Sequence, residues 1–253
     1  MAKLTTLVTG ASSGFGAAIA RRFVRDGHRV IAAARRADRL AALASELGPD
    51  LVAFPLDVTD AATVAALPGS LPDGWREIDV LVNNAGLALG LEPAWKASLA
   101  DWERMIATNV TGLVRVTRAL LPGMVERNRG HVVNMGSIAG TYPYAGGHVY
   151  GGTKAFVELF TSNLKADLLG SGVRVTNIEP GMVGGTEFST VRFGGDTARA
   201  AAFYSGTDPL TAEDMAEMVA WAVSLPPHVD VTRIEVMPTC QAPGPFMIKR
   251  NTR

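Results

Sequence analysis

The sequence has a single cysteine, Cys240, among 253 residues. One thiol excludes an internal disulfide framework and any metal centre built from several cysteines. Histidine is scarce too. His28, His131, His148 and His228 show no ligand spacing with carboxylates or with Cys240, so no metal site is expected. An excess of one charge is also missing. Lys plus Arg and Asp plus Glu both number 24, which leaves no net field to draw nucleic acid or an anionic membrane. No apolar run reaches the roughly 18 residues of a membrane span. The opening, MAKLTTLVTG, runs straight into a strand-like segment without a leader-like stretch. The expectation is a globular cytoplasmic protein whose partner is a small molecule, with neither nucleic acid nor membrane as a ligand. Hydrophobic residues make up 47% of the chain, ample for a core.

Short apolar runs alternate with longer helical patterns. The strand candidates are 4–9, 29–33, 51–55, 78–82, 131–135, 174–179 and 233–237. Most are nearly continuous apolar runs, as in parallel strands covered on both faces. Helix candidates span 14–26, 36–47, 99–127, 149–169 and 212–224, the last with Thr211 as N-cap. Repeated strand–helix–strand units imply an α/β fold, a Rossmann-like doubly wound parallel sheet of about seven strands flanked by helices. No linker divides the chain, so 1–253 reads as one domain. Cofactor binding is expected mainly in 1–140, catalysis and a substrate loop in 137–210, and a tail in 238–253. Residues 180–209 are irregular and glycine-rich, the mark of a lid or binding loop.

The stretch LVTGASSGFGAAIARRF follows the first strand and opens the first helix. Gly10, Gly14 and Gly16 let backbone N–H groups and the positive helix end approach a phosphate, and Ser12 and Ser13 add hydroxyl donors. At the end of the second strand an NAD site places a carboxylate for the ribose 2′-OH, whereas an NADP site places arginine for the 2′-phosphate. Here Ala33 and Ala34 are followed by Arg35 and Arg36. Cations are disfavoured in a first helical turn, so a bound anion explains them, and NADP is the expected cofactor.

Four further segments carry chemistry: LVNNAG at 81–86, Asn109 in ATNVTG, Ser137 in VVNMGSIAG, and YGGTK, which sets Tyr150 and Lys154 four apart on one helix face. With TGASSGFG at 9–16, LDV at 56–58 and PG at 180–181, they make a chain that resembles the short-chain dehydrogenase/reductase family over essentially its whole length. The resemblance implies one domain that holds both the dinucleotide and the active site, with Asn109, Ser137, Tyr150 and Lys154 as its catalytic residues. It implies cofactor contacts from Gly10, Ser12, Ser13, Gly14, Phe15, Gly16, Arg35, Arg36, Asp57, Val58, Asn83, Ala85, Gly86, Tyr150, Lys154, Pro180, Gly181, Val183 and Thr186. Two features depart from the family pattern. Gly152 stands where Ala is usual, at a cost of roughly 1 kcal/mol in helix propensity. The segment PGMVGGTEF is one residue longer than the commonest version, which leaves Thr186 and the Val183 backbone as alternative partners of the nicotinamide carboxamide.

In these roles Tyr150 is the general acid in carbonyl reduction and the base in alcohol oxidation. A free phenol has a pKa of about 10, and a neighbouring ammonium and an oxidised nicotinamide both favour the phenolate. Lys154 is expected to lower the Tyr150 pKa and to hold the nicotinamide ribose, Ser137 to hydrogen-bond the developing oxyanion, and Asn109 to hold a water linking Lys154 to solvent. NNAGLALG, LPGMVERNRGHVVN, YPYAGGHVY and PGMVGGTEFSTVRF look like the NADP-dependent 3-hydroxy acid dehydrogenase branch, which acts on serine, allo-threonine and malonic semialdehyde. Arg192, in the glycine-rich loop, is the candidate partner of a substrate carboxylate; a solvated loop arginine is the alternative. His148 is either a pocket donor or a loop residue without a role. The competing functions are an NADPH-dependent reductase of bulky ketones or a biosynthetic aldehyde, and a non-catalytic NADP-binding regulator. The family is commonly homotetrameric, and Phe246, Met247 and Ile248 in the tail are apolar residues in need of cover.

Overall fold

A computed structural model describes residues 3–244. Its seven parallel strands are β1 (Thr5–Thr9), β2 (Arg29–Ala34), β3 (Leu51–Pro55), β4 (Val80–Asn83), β5 (Gly130–Met135), β6 (Val173–Pro180) and β7 (Arg233–Val236). They form one sheet in the order β3-β2-β1-β4-β5-β6-β7. The chain runs outward from β1 to β3, then returns to place β4 on the other side of β1. Ligands of such sheets bind beyond the carboxyl ends at this switch point.

Nine helices are described: α1 (Gly14–Arg25), α2 (Ala37–Leu47), α3 (Ala61–Ser70), α4 (Leu99–Ile106), α5 (Leu113–Glu126), α6 (His148–Asp167), α7 (Phe188–Arg192), α8 (Thr197–Phe203) and α9 (Ala212–Ser224). Ile19, Phe23, Leu40, Val219 and Val223 from α1, α2 and α9 fill one face of the sheet. Val64, Leu67, Val116, Leu120 and Leu164 from α3, α5 and α6 fill the other. Both faces are therefore covered, which is why the central strands are buried throughout and rich in apolar residues. Thr211 caps α9 in a reciprocal box with Asp214, at 3.1 Å from the Asp214 N–H and with 2.8 Å from its own N–H to Asp214 Oδ2.

Three departures from the sequence reading have local causes. The helix expected over 99–127 runs unbroken to Glu126, but Ala107–Gly112 wind as a π-helical turn between α4 and α5. A Cβ on Gly112 would meet Val58 Cγ2 at 2.7 Å, so this turn lies pressed against the segment after β3. Helix α3 is additional. Asp60 caps it, accepting from Ala62 N and Thr63 N, and it continues through Pro68 and Gly69, residues that signal a break. The irregular stretch 180–209 contains α7 and α8. Phe246, Met247 and Ile248 lie outside the described residues.

Candidate active site

A cleft of about 750 Å3 runs along the carboxyl ends of the strands, from Arg35 and Arg36 at one end to Tyr144, Tyr150 and Arg192 at the other. Its floor at the first end is the turn after β1. Gly10 has φ +68, and a Cβ there would sit 2.9 Å from Asn84 Nδ2 and 3.0 Å from Ala85 Cα. Helix α1 begins at Gly14. Its N-cap, Ser13, makes no side-chain capping bond, and the first turn holds no acid. The opening N–H groups of α1 are thus left for an anion. Ser12, Ser13, Gly14 and Phe15 line the cleft. Gly16 does not. A Cβ on it would lie 2.5 Å from the Gly10 carbonyl oxygen, so Gly16 serves the close packing of helix on strand. These features fit a dinucleotide whose pyrophosphate faces the α1 terminus.

Arg35 is exposed at the rim. Arg36 is tied down: Nε donates to Ser12 Oγ at 3.1 Å and Nη2 to Ser13 Oγ at 2.6 Å, while Nη1 meets Glu187 Oε2 at 2.9 Å. Asp57 and Val58 wall the same end, with Asp57 Oδ1 accepting from the Thr59 N–H and hydroxyl at 2.9 and 2.7 Å. Ala85, Gly86, Pro180, Gly181, Val183 and Thr186 line the middle. The chain at Val183 runs parallel to Leu210 through bonds made by its neighbours, Leu210 N to Met182 O at 3.0 Å and Gly184 N to Leu210 O at 2.8 Å, and the Thr186 side chain lies across the glycine turn, 3.7 Å from where a Gly14 Cβ would be.

Asn83 needs correction. Its side chain is buried away from the cleft, donating to Thr117 Oγ1 at 2.8 Å and to Asn134 Oδ1 at 2.9 Å. The next residue, Asn84, lines the cleft and anchors β1 through a 2.8 Å bond to the Thr9 carbonyl. Asn109 is buried beside the cleft. Its carboxamide grips Leu87 on both sides, accepting from Leu87 N at 2.9 Å and donating to Leu87 O at 2.8 Å, with Thr153 Oγ1 at 3.1 Å. These bonds fix Leu87, in the segment that follows β4.

Tyr150 and Lys154 project from α6 and are both buried. Lys154 Nζ donates to the Met135 carbonyl at 2.7 Å and lies 5.8 Å from the Tyr150 ring centroid. Burial pushes Lys154 down to about 8. Burial also pushes Tyr150 up to about 12, against a hydrogen bond with Ser137 and the Arg192 cation, which lower it. The downward electrostatic pull on the phenol thus comes from Arg192, while Lys154 is turned to Met135. Ser137 caps the turn Ile138–Gly140 by accepting from Ala139 N at 3.1 Å, which leaves its hydroxyl proton to donate.

Arg192 ends α7 directly over the reaction centre. Its Cζ lies 5.5 Å from the Tyr150 ring centroid and 5.3 Å from that of Tyr144. Nη2 donates to the Tyr144 hydroxyl at 2.6 Å and Nε to the Gly90 carbonyl at 3.3 Å, while Gly90 N returns a bond to the Arg192 carbonyl at 3.0 Å. Among the described residues Arg192 makes no ion pair. His148 stays outside the cleft. It packs at a tilt against Trp102 with centroids 4.9 Å apart and shares a 3.1 Å bond with the Glu92 carbonyl. Tyr144 and Glu187 were not singled out by the sequence, since a tyrosine and a glutamate in loops carry no pattern until the fold brings them to an arginine. No cluster of His, Cys, Asp and Glu suited to a metal occurs among the described residues.

Residues 4–194 match the family described as short chain dehydrogenase. The chain is similar to the NADP-dependent 3-hydroxy acid dehydrogenase YdfG of Salmonella typhi, 58% identical over 98% of this chain and 100% of that protein. It is similar to the serine 3-dehydrogenase of Agrobacterium fabrum, 49% identical over 98% and 99% of the two chains. Among solved structures, the closed form of a serine dehydrogenase complexed with NADP+ superimposes with a TM-score of 0.96, 56% identity and coverage of 98% and 100%.

Proposed function

The chain belongs to the short-chain dehydrogenase family, and on that premise we propose that it is an NADP-dependent oxidoreductase interconverting a 3-hydroxy acid and its carbonyl form. One observation carries the choice of an acid: Arg192 holds a guanidinium without a carboxylate partner among the described residues, in contact distance of the Tyr150 ring. A substrate carboxylate completes that half-made pair, in the bidentate geometry that guanidinium favours. Its carbonyl oxygen then falls between the Ser137 and Tyr150 hydroxyls. Bound NADPH supplies the hydride. Charge that develops on the carbonyl oxygen is met by the Ser137 hydrogen bond and discharged by the Tyr150 proton. Arg192, at its cation, favours the resulting phenolate, and the Lys154 ammonium draws a replacement proton towards the site. Asp57 and Val58 wall the adenosine end, the α1 terminus faces the pyrophosphate, and Arg35 and Arg36 serve the 2′-phosphate. The Val183 backbone and Thr186 both line the cleft and are the two candidates for the carboxamide.

The relatives' printed activities support this reading, and the likeness to a closed NADP+ complex agrees with α7 lying over the cleft. Reduction of bulky neutral ketones uses the same Ser137 and Tyr150 but gives Arg192 no task. The test is a panel of NADPH oxidation rates with malonic semialdehyde, other 3-oxo acids and neutral ketones of matched size. Acids are expected to show higher kcat/KM; equal rates across the panel replace the acid reading with the ketone reading.

Assembly as a homotetramer is part of the proposal. It is supported by apolar side chains left open near α4 and on α6: Trp95 is 81% exposed, Leu99 65% and Leu159 63%. Light scattering is expected to give the mass of four chains, and a monomer mass refutes the claim. Among the described residues no helix is long and apolar enough to cross a membrane. Cytoplasmic residence belongs to the same reading, supported by the reaction's need for a renewable supply of reduced cofactor.

A further inference from the structure

Arg36, one of the two arginines assigned to the 2′-phosphate, is already engaged by a carboxylate, together with Arg39. Glu187, the N-cap of α7, presents one oxygen to Arg36 and the other to Arg39: Oε2 lies 2.9 Å from Arg36 Nη1 and Oε1 lies 3.1 Å from Arg39 Nη1. Arg36 is held from its other side by the Ser12 and Ser13 hydroxyls. Two guanidinium groups therefore meet a single anion, with the Ser13 hydroxyl beside it, and the anion is supplied by a segment 151 residues away in the chain. This is the donor set that a phosphate monoester takes. The Arg36 hydrogen bond keeps the Glu187 carboxyl below its ordinary range, so it is ionised at neutral pH.

We propose that Glu187 is a specificity-determining residue for the cofactor: it occupies the arginine seat of the 2′-phosphate and is displaced when that phosphate binds. This rests on the reading that Arg36 serves the 2′-phosphate. A carboxylate and a phosphate dianion at the same two arginines repel each other, so Glu187 has to give way. NADPH and NADP+ meet this competition, and NADH, which lacks the phosphate, does not. Glu187 thus trims the affinity that the arginines confer and speeds release of NADP+ by reclaiming them, a step that sets turnover in many enzymes. It also joins the two anion sites. The same five-residue helix carries Glu187 as its cap and Arg192 as its last residue, so the 2′-phosphate and the substrate carboxylate act on opposite ends of one element.

The experiment measures binding to the whole protein, by calorimetry for adenosine 2′,5′-bisphosphate and 5′-AMP and by fluorescence for NADPH and NADH. Glu187→Gln keeps the shape and removes the charge. Both arginine pairs are about half exposed, so the expected gain is about fivefold tighter binding of NADPH and of the bisphosphate. Binding of NADH and 5′-AMP stays unchanged, and NADP+ dissociates more slowly. Weaker binding of NADPH and NADH alike overturns the proposal, because Glu187 is then a clasp for any cofactor. Unchanged affinities for all four ligands overturn it as well. Arg36→Ala separates the two readings. It is expected to weaken the bisphosphate and NADPH about tenfold while sparing 5′-AMP and NADH. If Arg36→Ala leaves the preference for the 2′-phosphate intact, the arginine assignment fails and the proposal with it. If that preference is lost but Glu187→Gln changes nothing, only the proposal fails.

Discussion

Tyr150→Phe is expected to lower turnover at least ~10²-fold in both directions while NADPH still binds. The substitution removes one hydroxyl from a buried ring and leaves the packing against Phe188, 5.8 Å away between centroids, in place. On the proposed assignment the lost hydroxyl is the proton donor in reduction and the base in oxidation, and Ser137, whose one proton is offered to the developing oxyanion, does not replace it. Steady-state rates alongside a fluorescence titration with NADPH separate chemistry from binding. Turnover near that of the unaltered protein sinks the assignment of the general acid.

The pH profile of the unaltered protein follows from the same two groups. Burial holds Tyr150 protonated well above neutrality, pushed up to about 12, which suits an acid in the reductive direction. Oxidation needs the phenolate, a small fraction at neutral pH that grows tenfold per unit as pH rises towards that pKa. Lys154 titrates at about 8, so its ammonium is present below that pH and lost above it. Reductive kcat/KM is therefore expected to fall as pH rises through about 8, and oxidative kcat/KM to climb with pH. In Tyr150→Phe the residual oxidative rate loses that climb.

Much of this was legible in the chain because the sheet is buried on both faces. A strand such as β1, with all of Thr5–Thr9 buried, has no solvent-facing side and carries no charged residue, only β-branched and apolar ones. Tyr150 and Lys154 were legible because helical spacing alone aligns them. The features that escaped are those settled by distant contacts. The π-helical turn holding Asn109 carries no local signal; it is fixed by the grip on Leu87 and the approach of Gly112 to Val58. The two asparagines 83 and 84 are indistinguishable as letters. Asn83 ends β4 and points into the interior, and the following residue turns into the cleft, as strand alternation requires. Arg35 and Arg36 were legible as cations with an unmet need for an anion. That the chain itself supplies a carboxylate to Arg36 emerges only when residues 36 and 187 are brought together.

Arg192→Leu is expected to reduce kcat/KM for acids by a factor of thirty or more relative to neutral ketones. The guanidinium is positioned before any substrate arrives, by Tyr144 and Gly90, so little ordering remains to oppose binding. Closure of α7 over a carboxylate sheds water and strengthens the pair, and removing one partner of a desolvated charge pair costs about 2–5 kcal/mol. Leucine keeps the aliphatic bulk against the Tyr150 ring, so a neutral ketone of similar size should lose little or gain. The substitution also removes a cation that lowers the Tyr150 pKa, so the oxidative pH profile should move upward for every substrate, neutral alcohols included. These two effects are separable. The first appears only with carboxylate substrates and in KM, the second with all substrates and in the pH at which rate rises. A loss shared equally by acids and ketones at fixed pH, with no shift of the profile, means that Arg192 only holds α7 on Gly90 and does not meet a carboxylate.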